Sequence, residues 1–375
     1  MFIKTAASLF AAIIAYGSGP AAAADARLNQ IQVVGSHNSY RLAPEPGVMK
    51  LIEATQPKLA KSLAYTHRPL GEQFSRLGVR QIELDVYADP KGGLYADPLS
   101  RRTLRKMKRD PGAELDPKGL LKEPGMKVLH VPDVDFRTTA PTFVDALKQV
   151  RAWSKAHPRH VPLFILVELK DETHPGLTKP SPFDGEALDA LEAEIKGVFS
   201  TGEMVTPDDV RGSASTLPEA LKARGWPALD SVRGKVIFAL DNEDAIRDRY
   251  LEGHPALKGR VMFASVAETH PAAAWMKVND PVGDFSRIQR LVKEGFLVRT
   301  RADADTVEAR ANDPRRREKA LASGAQFVST DYAEPDAGLS AYRVRLPGGV
   351  VARANPISGG GVPEGVDLEA ADSRP

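Results

Sequence analysis

The sequence predicts a (β/α)8 barrel, and three observations carry that prediction. Eight short apolar runs recur along the chain, near residues 31–36, 79–86, 127–130, 162–169, 235–240, 261–265, 296–300 and 327–330. Most are rich in Val, Ile, Leu and Phe without alternation, the signature of strands buried on both faces of a parallel sheet. Helix-patterned segments lie between them, and the series occupies roughly 300 residues, the span of one such barrel. A doubly wound sheet is the alternative that the pattern leaves open.

In chain order, the first run ends in Val33-Val34-Gly35-Ser36-His37-Asn38, and the second holds Gln81-Ile82-Glu83-Leu84-Asp85-Val86. The third is Lys127-Val128-Leu129-His130, and the fourth is Phe164-Ile165-Leu166-Val167-Glu168. Residues 41–70 and 87–126 are long connections after the first two runs. In a barrel they fall on the face where βα loops build active sites. A helix is predicted from Pro141 to Ala156, with proline in its first turn and Phe143, Ala146, Leu147 and Val150 on one stripe. Residues 184–199 repeat the pattern with Leu188, Leu191, Ile195 and Val198. The later runs end in Asp241-Asn242, Ser265, Arg299-Thr300-Arg301 and Asp331-Tyr332. Gly, Pro and Ala are frequent toward the C-terminus, so an irregular extension over 346–375 is expected to follow a domain spanning 25–345.

The 51 Lys and Arg nearly balance 49 Asp and Glu, a formal charge of +2. No global field therefore pulls the chain toward nucleic acid, and electrostatic recognition has to be local. The absence of cysteine removes thiolate metal sites and thiol nucleophiles. No glycine-rich nucleotide loop or Gly-x-Ser-x-Gly elbow is present. At the N-terminus Lys4 precedes an apolar stretch from Ala6 to Ala15 and the small-residue run Ala21 to Ala24. That pattern predicts a secretory signal peptide, residues 1–24, and a secreted or periplasmic protein; the stretch is too short to span a bilayer.

The polar groups that close these runs are of few kinds. Glu83 and Asp85 are two apart, so on a strand both face one way, opposite Ile82, Leu84 and Val86. Adjacent buried carboxylates repel unless a cation neutralises them, and Ca2+ or Mg2+ prefers such oxygens. A strand with one wet face accounts for the same spacing. Glu168 follows five apolar residues, where a charge is costly unless paired or metal-bound. An ion pair with Lys170 is the other reading, and Lys170 is also a candidate phosphate contact. Asn38 offers a neutral carbonyl oxygen to a hard cation. His37 and His130 are candidate acids, bases or phosphate donors, since an imidazole of pKa ~6.5 exchanges protons near neutrality. A lone histidine at a strand end is more often structural, but these two flank the Glu-x-Asp strand. Arg301 has the planar fork for a phosphate, and pairing of Arg299 or Arg301 with Asp331 fits as well. Arg101 to Arg109 holds six basic residues in nine. Either this stretch steers the barrel mouth toward an anionic lipid or phosphate, at ~1 kcal/mol per residue near a membrane, or it is a solvated loop. Hard oxygen ligands with paired imidazoles suit a divalent-metal phosphodiesterase.

Taken together, the segments resemble the calcium-dependent phosphatidylinositol-specific phospholipase C family, in its bacterial secreted branch. The resemblance rests on Gly35-Ser36-His37-Asn38-Ser39-Tyr40, Ile82-Glu83-Leu84-Asp85-Val86, His130-Val131-Pro132-Asp133, Glu168, the segment from Val298 to Asp303 and that from Gly324 to Tyr332. It covers nearly all of residues 30–345. It implies a distorted (β/α)8 barrel with one Ca2+ at its mouth, held by Asn38, Glu83, Asp85 and Glu168. His37 and His130 are then the catalytic pair, and Glu83 or Asp85 accepts the proton of the attacking inositol hydroxyl. That family cleaves the bond between phosphate and diacylglycerol and forms a cyclic inositol phosphate first, so the resemblance implies the same reaction here. His37 would stabilise the pentacoordinate phosphorus and His130 would protonate the glycerol oxygen. The expected partner is a phospholipid or other phosphodiester, with no nucleic acid or protein partner. No membrane-binding accessory domain is evident, and residues 352–356 lack the cysteines that many members carry in the C-terminal stretch. A glycerophosphodiester phosphodiesterase is the rival resemblance, although its usual His-Arg-Gly opening stands here as His37-Asn38-Ser39. A secreted lipid- or sugar-phosphate-binding protein without turnover is a third reading, opposed by the presence of all six expected groups.

Overall fold

The computed structural model describes residues 26–362 and 365–370, and the expected signal peptide lies outside them. Ten strands occur among the described residues: β1 (Ile31–Ser36), β2 (Gln81–Tyr87), β3 (Lys127–Val128), β4 (Leu163–Leu169), β5 (Val236–Leu240), β6 (Met262–Ala264), β7 (Trp275–Lys277), β8 (Leu297–Arg301), β9 (Phe327–Thr330) and β10 (Ala352–Ala354). Six helices matter for the argument: α1 (Pro46–Thr55), α2 (Pro57–Ser62), α3 (Leu70–Leu77), α4 (Leu99–Lys106), α5 (Phe143–Ala156) and α6 (Gly185–Val198). No helix of the described residues is long and apolar enough to cross a membrane.

Eight of the strands are parallel neighbours in the order β6-β5-β4-β2-β1-β9-β8-β7. A parallel bridge from Ser265 to Trp275 brings the two ends together. The ring is nearly closed, a distorted (β/α)8 barrel. Apolar burial builds it from both sides. β4 has every residue buried except Glu168 at its mouth end. In the lumen Phe164 stacks on Phe327 at 4.1 Å between ring centroids, with Trp275 beside them, closing the barrel below the mouth. Outside, α5 buries Phe143, Ala146, Leu147, Val150 and Trp153, and Thr142 caps it by accepting from the Asp145 amide. Asp184 caps α6 in the same way.

The distortion has a local cause. β1 pairs with β2 only through Gly35 and Gln81, while along the same edge Ile31 to Val33 pair antiparallel with β10. A Cβ added at Gly35 would lie 1.9 Å from the Gln81 amide oxygen, so glycine is required for this approach. The segment expected to be an irregular extension thus supplies a strand to the barrel wall. It also supplies Glu369, paired with the buried guanidinium of Arg80.

Two further expectations are corrected. The run at 127–130 is not a barrel strand: β3 is two residues long and pairs antiparallel with the end of β2. Its apolar residues pack on the outer layer, and Lys127 spends its ammonium on the carbonyls of Glu123 and Gly125. The place in the ring falls to β7, only three residues long and preceded by three alanines, which no periodicity distinguishes. The long connections at 41–70 and 87–126 contain α1, α2 and α4. The basic run begins within α4, and Arg101 turns inward to donate to the Ala113 carbonyl at 2.5 Å, while Arg102, Lys106, Lys108 and Arg109 stay exposed.

Candidate active site

The mouth of the barrel is assembled from strand ends. His37 directly follows β1; its amide donates to the Thr330 carbonyl at 3.0 Å, and the chain then turns sharply at Asn38, where φ is +47°. Asparagine is among the few residues that tolerate this left-handed conformation. The turn is laced to β2: the Ser39 amide donates to the Glu83 carbonyl at 2.9 Å, and the Glu83 amide donates to Ser39 Oγ at 2.9 Å. Asn38 is thereby fixed beside Glu83. β2 and β4 run in register with Asp85 opposite Glu168, and period-two alternation brings Glu83, Asp85 and Glu168 to one side.

Three carboxylates, Glu83, Glu168 and Asp241, have oxygens within 4.8 Å of one another. Asp85 stands next to them and shares Lys170 with Glu168, the ammonium lying 3.4 Å from Asp85 and 2.7 Å from Glu168. Asp241 is paired with Lys277 at 3.0 Å, and Glu83 with Arg299, which reaches across the lumen from β8. Four carboxylates therefore face three cationic side chains. Burial pushes the Glu83 carboxyl up to about 7 and raises that of Asp85 well above the usual range. Although burial opposes its charge, Asp85 and Glu168 together raise the Lys170 ammonium. Several buried oxygens here make no hydrogen bond: both of Asp85, one of which has only the 3.4 Å ionic contact with Lys170, Oδ1 of Asp241 and Oδ1 of Asn38. Unpartnered buried acceptors are costly, and a hard divalent cation is the group that such a donor set fits. Asp241 was visible in the sequence as a strand end; only the pairing of β4 with β5 brings it to Glu168.

The histidines have parallel surroundings. His37 Nδ1 lies 2.7 Å from Asp331 Oδ1, and its Nε2 is 3.3 Å from Arg301 and 3.5 Å from Glu83. Burial and the nearby Arg301 charge push the His37 imidazole down to about 3. His67 donates to the His37 carbonyl at 2.7 Å and holds the backbone. His130 Nδ1 lies 2.7 Å from Asp135, which the buried Arg41 grips at 2.5 Å. Arg41 also donates to the Tyr65 carbonyl at 2.9 Å, and the Tyr65 hydroxyl contacts Asn38 at 3.3 Å and His37 at 3.5 Å. One bonded network therefore joins the two imidazoles, although His130 follows the appended β3 rather than a barrel strand. Asp135 and Asp331 orient the rings; in the sequence Asp331 stands as a strand end and a partner for arginine, and no strand pattern singles out Asp135. The signal for Asp135 is local, a tight turn from Val131 to Asp135 right after the histidine.

Arg301 pairs with Asp331 at 3.2 Å while keeping its edge toward His37. On this side of the mouth the unpartnered buried atoms include two charged donors, Nε of Arg299 and Nε of Arg301.

Residues 26–356 match the family model described as phosphoinositide phospholipase C, Ca2+-dependent. A calcium-dependent phosphoinositol-specific phospholipase C from a Gram-negative Pseudomonas sp. has the same fold, with TM-score 0.50 and 15% identity over 89% of this chain and 96% of that one. Its myoinositol complex gives TM-score 0.50 and 16% identity over 90% and 99%. A Streptomyces antibioticus Ca2+-dependent phosphatidylinositol-specific phospholipase C aligns at TM-score 0.49 and 16% identity over 82% and 95%. No curated protein matches. The match to the family model spans most of the chain, which is a member of the calcium-dependent phosphoinositide phospholipase C family.

Proposed function

We propose that this enzyme cleaves phosphatidylinositol, or a closely related inositol phosphodiester, into diacylglycerol and a cyclic inositol phosphate that is then hydrolysed. The observation that carries the reading is the split of unmet hydrogen-bonding capacity across the mouth: acceptors on Asn38, Asp85 and Asp241, donors on Arg299 and Arg301. A site of this kind suits a cation and an anion side by side, as a metal-assisted phosphodiester reaction needs.

Asn38, Glu83, Asp85 and Glu168, with Asp241 added, would hold a single Ca2+. When bound there, the ion supplies charge neutralisation for the phosphate and acidifies the attacking hydroxyl. The inositol oxygen forms a bond to phosphorus and its proton passes to Glu83 or Asp85. His37, oriented by Asp331, donates to the phosphate as negative charge develops; the anion restores the imidazolium that burial otherwise disfavours. His130, oriented by Asp135, gives its proton to the glycerol oxygen as the phosphorus–oxygen bond breaks. Arg301 offers its fork to the phosphate beside His37. Lys170 bridges Asp85 and Glu168 and is the second candidate contact. The exposed part of the basic run on and after α4 would meet an anionic membrane, which fits secretion or a periplasmic location.

Phosphatidylinositol and glycerophosphoinositol assayed side by side test the proposal. Release of water-soluble phosphate ester from the lipid, lost in His37→Ala and in His130→Ala, is the expected result. Turnover of glycerophosphoinositol alone would replace the reading by a glycerophosphodiesterase, and no turnover of either by a binding protein.

A further inference from the structure

A cavity of about 740 Å³ opens directly beside His130, between α1, α2, α4 and the turns that follow β3 and β4. Its volume falls within the ~300–1,000 Å³ of small-molecule pockets. The walls are largely apolar, formed by Leu51, Ile52, Leu59, Leu63, Val134 and Leu177. His130 is at the same time a lining residue and the imidazole held by Asp135 through Nδ1, which leaves Nε2 as the ring atom for proton transfer. Among the wall residues Ser100 stands out: its hydroxyl oxygen is buried and has no hydrogen-bond partner. An unpaired hydroxyl in an apolar wall is costly unless an acceptor arrives with the ligand.

We propose that this cavity is the subsite for the hydrocarbon of the departing diacylglycerol, with Ser100 donating to an ester carbonyl. The proposal rests on the phospholipase reading and extends it. The glycerol oxygen takes its proton from His130, so the glycerol and its chains leave on the side of that imidazole, where the apolar walls begin. The same helix, α4, lines the cavity through Leu99, Ser100 and Thr103 and carries exposed Arg102 and Lys106, so an apolar slot lies next to charges that suit a phospholipid surface. The insertions after β1 and β2 thus acquire a purpose: they build a chain-binding wall on one flank of the mouth.

The test uses monomeric dibutanoyl- and dihexanoyl-phosphatidylinositol with the calcium-loaded enzyme. Each methylene that becomes buried raises kcat/KM by up to about fourfold, so the longer substrate is expected to be at least about tenfold better. Leu59→Asp makes one wall polar, and Thr55→Trp fills the slot from α1; both positions are solvent-exposed, so neither change removes a buried side chain. Collapse of the ratio between the two substrates to below about threefold in either variant supports the subsite. A wild-type enzyme indifferent to chain length, or a ratio retained in both variants, overturns it while leaving the phospholipase reading intact. No cleavage of either substrate overturns that reading, and the subsite with it.

Discussion

The two sides of the barrel mouth are built from the same kinds of side chain but are satisfied differently. On the side of β8 and β9, Asp331 uses one oxygen on His37 and the other on Arg301, and its amide donates to Asp303 at 2.8 Å. Its carboxyl is held low by His37 and Arg301 despite burial. What is left over there is donor capacity. On the side of β2, β4 and β5 the carboxylates outnumber their cations, and what is left over is acceptor capacity. A fold that only needed stability would have paired these groups with each other, since buried charge left unpaired is expensive. Apart from the strap from Arg299 to Glu83, their separation fits a cation on one side and an anion on the other, and on that reading each side should break independently.

Removing either imidazole should have the largest effect. His37→Ala and His130→Ala are each expected to lower kcat by ~10²–10⁴-fold while leaving the calcium affinity measured by calorimetry nearly unchanged. Next, the two sides should separate cleanly. Asp241→Asn should weaken calcium binding by at least about tenfold, whereas Asp331→Asn should lower kcat and spare calcium affinity. Equal loss of calcium binding in both would mean that the mouth is one undivided network. Arg299→Met tests the strap between the sides: it leaves Glu83 buried and unpaired, for an expected ~3–5 kcal/mol loss in denaturant unfolding without calcium. Saturating calcium should recover part of that loss, because a ligand at 100 times its Kd stabilises by about 2.7 kcal/mol. The smallest effect belongs far from the mouth. Glu369→Gln removes the partner of buried Arg80 and should cost ~1–3 kcal/mol of stability with kcat unaltered.

The acidic side was more legible than the other. Glu83, Asp85 and Glu168 announce themselves because each interrupts an apolar strand, and a strand fixes which way alternate residues point. Asn38 and His37 close β1 in the same way. His130 was found for a reason that the structure revises, since β3 is a short hairpin arm and its histidine is carried by a turn. Asp241, Asp135 and the strap from Arg299 to Glu83 depend on pairings between segments 73 to 216 residues apart or on a local turn, and no strand periodicity encodes either. β7 escaped because three residues buried by their neighbours need no pattern of their own. β10 escaped because its pairing partner is the first strand of the barrel, some 320 residues earlier.

The central claim is that these residues assemble a calcium-assisted phosphodiester site, and its most direct test is phosphorus NMR of phosphatidylinositol incubated with the enzyme. With calcium present, a cyclic inositol phosphate resonance should appear first and decay into the acyclic ester, and with chelator neither should form. Cyclic phosphate produced at the same rate under chelation would contradict the account, because the unmet acceptors of Asn38, Asp85 and Asp241 would then serve no cation in the reaction.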